Sequence, residues 1–131
     1  MTHLRISEAA ELLGVSDDTV RRMVDADRLP ADHDDAGRLV VDGADLAALA
    51  QEIARPAPVG VVADESARNR MRGIVTRVLT DTVMAQVELQ CGPFRVVSLM
   101  SREAVDSLGL EGGSVAVASI KSTNVVVGVP R

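Results

Sequence analysis

Residues 83–90, VMAQVELQ, alternate apolar and polar side chains, which is typical of a β-strand with one buried face. The apolar face would hold Val83, Ala85, Val87 and Leu89. Strand-like segments lie on both sides of this one, at 71–80, 94–100, 114–122 and 124–129, and a short helix, REAVDSL, follows Ser101. This pattern predicts five strands, with one short helix between the third and the fourth, in a small closed or nearly closed barrel.

The first half of the chain shows helical spacing instead. ISEAAELL (6–13) has apolar residues at helical intervals, with Ser7 as a candidate N-cap and Gly14 as a stop. Ser16 would cap a second helix, DDTVRRMVDA. RLVV (38–41) is predicted to be one strand of a small hairpin, and Asp42 would cap a third helix. We therefore expect an α+β chain.

A break between the two halves is expected at ARPAPVGVVADE (54–65), because closely spaced prolines end helices and favour extended backbone. Residues 1–54 hold five arginines and twelve acidic residues, a formal charge of −7, whereas residues 55–131 hold nine basic and seven acidic residues, or +2. We predict a helical domain at 1–54, a linker at 55–65 and a barrel at 66–131.

Composition narrows the function further. One Phe, no Trp and no Tyr among 131 residues leave the core to smaller side chains, which favours oligomerisation. The same scarcity counts against single-stranded nucleic acid, which needs aromatic stacking platforms. There is a single cysteine, no signal-like start and no run of membrane-spanning length, so we expect a cytoplasmic protein without membrane contact.

The stretch ISEAAELLGVSDDTVRRMVDADRLPA (6–31) resembles the helix-turn-helix of the excisionase and MerR-like winged family. The resemblance implies a winged helix-turn-helix of three helices and a small hairpin, whose second helix enters the major groove of double-stranded DNA. The candidate DNA contacts are Thr19, Arg21 and Arg22, with Arg38 in the hairpin. The hairpin string ADHDDAGR departs from the family's arginine-rich pattern, and its acids would repel phosphates. A helical module for protein interaction or oligomerisation is the alternative.

Two polar strings of the second half, SARN (66–69) and IKST (120–123), combine hydroxyl, guanidinium, amide and ammonium donors. A tetrahedral dianion offers only acceptors near neutral pH, so it needs donors and balancing positive charge. We call these two segments the oxyanion strings. Taken singly, each residue has an ordinary alternative as a turn cap, a surface charge or a β residue.

SARNRMRGIV, LGLEGGSV and IKST, in that order, resemble the Mop or molbindin domain of molybdate-binding proteins, within the TOBE class. The resemblance implies an OB-like five-stranded barrel, homo-oligomers (dimer or hexamer), and molybdate or tungstate bound between subunits. The ligand contacts it implies are Ser66, Arg68, Lys121 and Ser122. We expect Asn69 to hold backbone, and Arg70 and Arg72 to be solvated.

Together, the two resemblances imply a molybdate-responsive transcriptional regulator. The alternative is an intracellular molybdate storage or buffer protein, with the helical domain serving assembly or partner docking. No catalytic arrangement is visible, and His3, His33 and Cys91 show no ligand spacing for a metal cation.

Overall fold

The computed structural model describes residues 2–60 and 65–130, and the chain divides into two units, Met1–Arg55 and Pro56–Arg131. We call them the helical unit and the sheet unit. Part of the predicted linker, residues 61–64, lies outside the described residues.

The helical unit contains three helices and a small antiparallel sheet. Its elements are β1 (His3–Arg5), α1 (Ile6–Leu13), α2 (Asp17–Asp25), β2 (Ala31–His33), β3 (Leu39–Asp42) and α3 (Gly43–Ile53). The strand order is β1-β3-β2, so the predicted hairpin is β2–β3, and β1 is a strand that the pattern did not predict. The core consists of Ile6, Ala9, Ala10, Val20, Leu29, Val41, Leu46 and Leu49.

Local capping fixes where these helices begin. The Ser16 hydroxyl accepts the Thr19 N–H at 3.2 Å, and an Asp42 carboxylate oxygen accepts the Ala44 N–H at 3.3 Å, as the sequence predicts. Ser7 is not a cap: α1 begins at Ile6 directly after β1, and its N-cap is Arg5, whose N–H donates to Glu8 Oε1 at 3.3 Å.

The sheet unit contains four strands and one helix in its described residues: β4 (Asn69–Thr80), β5 (Met84–Cys91), β6 (Phe94–Ser101), α4 (Arg102–Leu108) and β7 (Val115–Ile120). The antiparallel order is β6-β5-β4-β7. β4 pairs with β7 through its first half and with β5 through its second, and a register shift separates Val75 from Arg77. Such a bulge bends a strand, so one long strand can serve two partners.

Three of the four residues predicted for the buried face, Ala85, Val87 and Leu89, are buried. The fourth, Val83, was wrongly assigned to it: it precedes β5 and is 67% exposed. Val75, Cys91 and Val105 complete the core. Cys91 is the last residue of β5 and packs beneath Gly73, where an added Cβ would come within 2.5 Å of the Cys91 Sγ. A glycine is therefore required at this position of β4, next to the end of β5.

The structure differs from the predicted five-stranded barrel, because the described residues of the sheet unit contain four strands and no fifth. Residues 122–124 form a 3-10 turn after β7, and residues 125–129, which we call the tail, form no strand. The edge strands β6 and β7 are not hydrogen-bonded to each other, and they line a shared cavity of about 490 Å³. The tail's side chains are exposed because none of the strands in residues 2–60 and 65–130 pairs with it.

The longest described helix, α3, has 11 residues, and no helix in the described parts of the chain has the length and apolarity of a bilayer span.

Candidate functional sites

The two oxyanion strings lie at the same end of the sheet. β4 and β7 are antiparallel, and their register pairs Asn69 with Ile120. Ser66 and Arg68 precede the first residue of β4, and Lys121 and Ser122 follow the last residue of β7. Strings that are about fifty residues apart in sequence are thus neighbours within one chain.

Hydrogen bonds fix the backbone between the two strings. The Asn69 side-chain amide donates to the Ile120 carbonyl at 3.2 Å, which confirms the prediction that Asn69 holds backbone. Arg68 Nη1 donates to the Ser66 carbonyl at 3.1 Å, and Ala67 is buried between these two exposed residues. The first string is therefore anchored by a methyl group and by two side-chain bonds to carbonyl oxygens.

The predicted ligand-contacting side chains remain exposed. Ser66, Arg68, Lys121 and Ser122 are all solvent-accessible, and within residues 2–60 and 65–130 neither cation has a carboxylate within ion-pair distance. Exposed donors with unneutralised positive charge are what an oxyanion requires.

Arg70 departs from its prediction as a solvated charge. Its Nε lies 3.5 Å from Glu65 Oε1, and its Nη2 donates to the Glu65 carbonyl at 3.3 Å. Arg72, two residues further along β4, is exposed as expected. The spacing of five residues between Glu65 and Arg70 belongs to no helical or strand pairing rule, so the sequence carried no signal for this contact.

The candidate DNA contacts lie on the second helix and in the hairpin. Arg21 and Arg22 are exposed on α2, without an ion-pair partner in the described chain. The Thr19 hydroxyl lies 2.9 Å from the Ser16 hydroxyl, so it takes part in the helix cap. The two arginines are the more available donors for a base edge or a phosphate.

Arg38 is held by its own hairpin. Its Nε lies 2.9 Å from Asp34 Oδ2, while Asp34 Oδ1 accepts the Ala36 and Arg38 N–H groups. The Arg38 N–H, together with the Arg38 side chain, lowers the pKa of Asp34 below its ordinary value and outweighs the opposing desolvation. A carboxylate that stays charged at neutral pH thus neutralises the arginine predicted to meet a phosphate.

Arg28 also has a partner. Its Nη2 lies 3.2 Å from Glu52 Oε1 on α3, so it joins the segment after α2 to the third helix. No group of three or more His, Cys, Asp or Glu side chains that could hold a metal ion occurs in the described residues.

Comparison with protein families matches both units. A TOBE domain model matches residues 65–127, and a helix-turn-helix domain model matches residues 4–54. Molybdenum-pterin-binding protein 3 of Clostridium pasteurianum is 38% identical over 63 residues, 47% of this chain and 93% of that protein. A probable molybdenum-pterin-binding protein of Haemophilus influenzae is 43% identical over 65 residues, 49% and 94% of the two chains.

Solved structures give matches of similar extent. The cytoplasmic molybdate-binding protein ModG, crystallised with molybdate bound, is 41% identical and aligns over 51% of this chain and 48% of its own, with a TM-score of 0.49. MopII from Clostridium pasteurianum is 33% identical over 50% of this chain and 100% of its own, with a TM-score of 0.47.

Proposed function

Because the chain belongs to the molybdenum-pterin-binding protein family through its TOBE domain and also carries a helix-turn-helix domain, we propose that it is a molybdate-responsive transcriptional regulator. The sheet unit binds molybdate or tungstate, and the helical unit reads operator DNA. The role is one of binding, without catalysis, and by analogy with ModG it is cytoplasmic.

The observation that carries this proposal is the β4–β7 register. It brings Arg68 and Lys121 to one end of the sheet, together with the hydroxyls of Ser66 and Ser122. Hydrogen bonds that involve a charged group contribute about 1.5–3 kcal/mol each, so several of them would hold a dianion despite the desolvation cost. A site made only of donors also disfavours phosphate, which is partly protonated near neutral pH.

Assembly into a homo-oligomer through the sheet unit is part of the proposal. β6 and β7 are sheet edges, which offer unpaired backbone groups to another chain. The tail is strongly exposed, with Val126 at 93% and Val127 at 86%, an unusual concentration of bare β-branched side chains. A second copy of the chain is the partner that would cover both features, as a dimer or within a hexamer.

A charge in the tail tests this assembly. Replacing Val126 and Val127 with Asp should lower the native mass to that of a smaller species, because carboxylates cannot be buried unpaired at an interface. Val83→Asp, at an exposed valine outside the tail, is the matched control. An unchanged native mass in the tail variant would remove the tail from the interface.

In a regulator of this kind, binding of molybdate would change the affinity for DNA through thermodynamic linkage. A paired helix-turn-helix requires its recognition helices at a fixed half-site spacing. An anion bound within the assembly can favour one spacing only by binding that arrangement more tightly than the other.

The storage or buffer protein remains the second candidate, and the acidic character of the helical unit favours it. Residues 1–54 carry a formal charge of −7, from five arginines and twelve acids, and Arg38 is neutralised by Asp34. A regulator should bind duplex DNA with an affinity that falls steeply as salt rises, whereas a storage protein should bind none.

Calorimetric titration of the full chain with sodium molybdate, tungstate, sulfate and phosphate, beside a native mass measurement, tests the site. We expect saturable binding of molybdate and tungstate and much weaker binding of phosphate. Absence of heat with molybdate, in a chain that unfolds cooperatively, would reject the proposed function.

A further inference from the structure

Glu65 raises a problem for an oxyanion site. Its carboxylate directly precedes Ser66, and a carboxylate beside a dianion repels it. Its backbone carbonyl, one residue before the first oxyanion string, is also an acceptor. A site that is to bind an oxyanion must therefore keep both groups of Glu65 away from the ligand.

Arg70 meets both groups at once. Nε forms the ion pair with Glu65 Oε1, and Nη2 donates to the Glu65 carbonyl oxygen. Both side chains are 31% exposed, so the pair is more sheltered than the ion pairs of Arg28 or Arg38. The Arg70 Nε is itself buried without a hydrogen bond in the described chain, so its position depends on the ion pair.

Arg68 binds the next carbonyl along the chain, since its Nη1 donates to the Ser66 carbonyl oxygen. The carbonyl oxygens of Glu65 and Ser66 thus each accept a hydrogen bond from a guanidinium group. An occupied acceptor no longer opposes an incoming oxyanion, while the Ser66 hydroxyl and the remaining guanidinium N–H groups stay available.

We propose that Arg70 is a positioning residue of the oxyanion site: it holds the Glu65 carboxylate and carbonyl away from the bound anion. This inference rests on the proposed function. In this proposal Arg70 affects anion binding by holding Glu65. It neither contacts the anion directly nor acts only through its positive charge.

The mutant cycle Arg70→Ala, Glu65→Gln and the double variant separates these roles. Arg70→Ala should weaken molybdate binding about three- to fivefold, the size expected for an unpaired exposed charge near a ligand. In the Glu65→Gln background, the same arginine replacement should change affinity by less than about twofold, because there is no carboxylate to release. Glu65→Gln alone should bind molybdate at least as tightly as the unaltered chain.

Arg72→Ala is the matched control, since it removes an equal charge from an exposed position on the same strand. Its effect should be the same in the unaltered chain and in the Glu65→Gln background. The extra loss caused by Arg70→Ala should shrink as sodium chloride rises from about 0.01 M to about 0.15 M, because screening weakens the repulsion from Glu65.

Titration calorimetry with sodium molybdate gives each affinity, and thermal unfolding without ligand checks each fold. Equal losses for Arg70→Ala in both backgrounds, equal losses for Arg70→Ala and Arg72→Ala, or weaker binding by Glu65→Gln alone would each overturn the inference. If Arg70→Ala does not fold, the Glu65→Gln result still decides it. Failure of the unaltered chain to bind molybdate would instead reject the proposed function.

Discussion

In the helical unit, three of the arginines are paired with carboxylates, whereas the cations of the oxyanion strings are not. The helical unit holds the ion pairs Arg5–Glu8, Arg28–Glu52 and Arg38–Asp34. In the sheet unit, described ion pairs involve Arg70 and Arg95, and neither Arg68 nor Lys121 takes part in one.

This difference indicates how far each unit is prepared for an anion. Around the oxyanion strings, Arg68 and Asn69 bond to backbone carbonyls, the Glu65 carboxylate is paired with Arg70, and Arg68 and Lys121 form no ion pair in the described residues. In the helical unit, binding to phosphates would depend largely on Arg21 and Arg22 against a negative background. The molybdate site should therefore tolerate less change at its cations, and DNA binding should respond strongly to small changes in charge.

The largest expected effect is at the oxyanion strings. Replacing both Arg68 and Lys121 with Ala removes two charged donors, each contributing about 1.5–3 kcal/mol, so molybdate affinity should fall by a factor of about 100 or more. Ligand at about 100 times the dissociation constant of the unaltered chain stabilises it by about 2.7 kcal/mol, and this stabilisation should fall to about 0.4 kcal/mol or less in the variant. Differential scanning calorimetry with and without molybdate measures it.

Arg72→Ala removes an exposed cation of β4 outside the oxyanion strings; it should keep the molybdate-induced stabilisation and serves as the control. Unchanged far-UV circular dichroism should accompany the loss in the double variant. Normal molybdate affinity in that variant would reject the site assignment.

The next effect is on α2. Replacing Arg21 and Arg22 with Ala should weaken binding to a duplex selected by the unaltered chain from a random library by about tenfold or more, because base and phosphate contacts are lost together. The slope of affinity against salt should also become shallower by about one to two units. Fluorescence anisotropy at several salt concentrations gives both values, and molybdate affinity should not change. Retained DNA affinity would mean that α2 is not the reading helix.

The sequence predicted best what depends on neighbours in the chain. Ser16 and Asp42 cap their helices because a cap needs only the next few N–H groups. The buried face of β5 followed from alternation, which depends only on the geometry of an extended strand. The boundary of α1 was missed where a distant element intervened, because pairing with β3 extends β1 up to Arg5.

Contacts that depend on distant segments were the ones the sequence could not give. The tail has the composition of a strand, but no strand in the part of the chain that the structure describes pairs with it. Cys91 is part of the core because Gly73, on the neighbouring strand, leaves room for its side chain, and spacing along the sequence does not show that contact. Composition defines which segments can form a strand, and only the tertiary fold decides which partner each one finds.

The candidate site shows the same division. The chemistry of SARN and IKST was visible as a set of donors, but the Asn69–Ile120 register that joins them was not. Nor could the pattern assign the Arg70–Glu65 and Arg38–Asp34 pairs, although both change which cations an anion would meet. Net charge alone would count these arginines as equal to Arg21 and Arg22.

The smallest effect is expected from removing the ion pair of Arg38 in the hairpin. Arg38 would then be a cation without an ion-pair partner in the described chain, like Arg68 and Lys121 in the oxyanion strings. Asp34→Asn removes the carboxylate that pairs with Arg38, while the amide oxygen can still accept the Ala36 and Arg38 N–H groups that shape the turn. If the hairpin meets the DNA backbone, affinity for a random-sequence duplex should rise about two- to fivefold at low salt, with a salt slope steeper by about one.

Asp35→Asn is the matched control, because Asp35 lies in the same turn, is exposed and lacks an ion-pair partner in the described chain. Anisotropy titrations of both variants separate two causes of a gain. A larger gain for Asp34→Asn shows that the released guanidinium contacts phosphate, since both variants remove one negative charge. Equal gains in DNA affinity would mean that only the change in net charge matters. No gain in either variant would mean that the hairpin does not lie near the DNA.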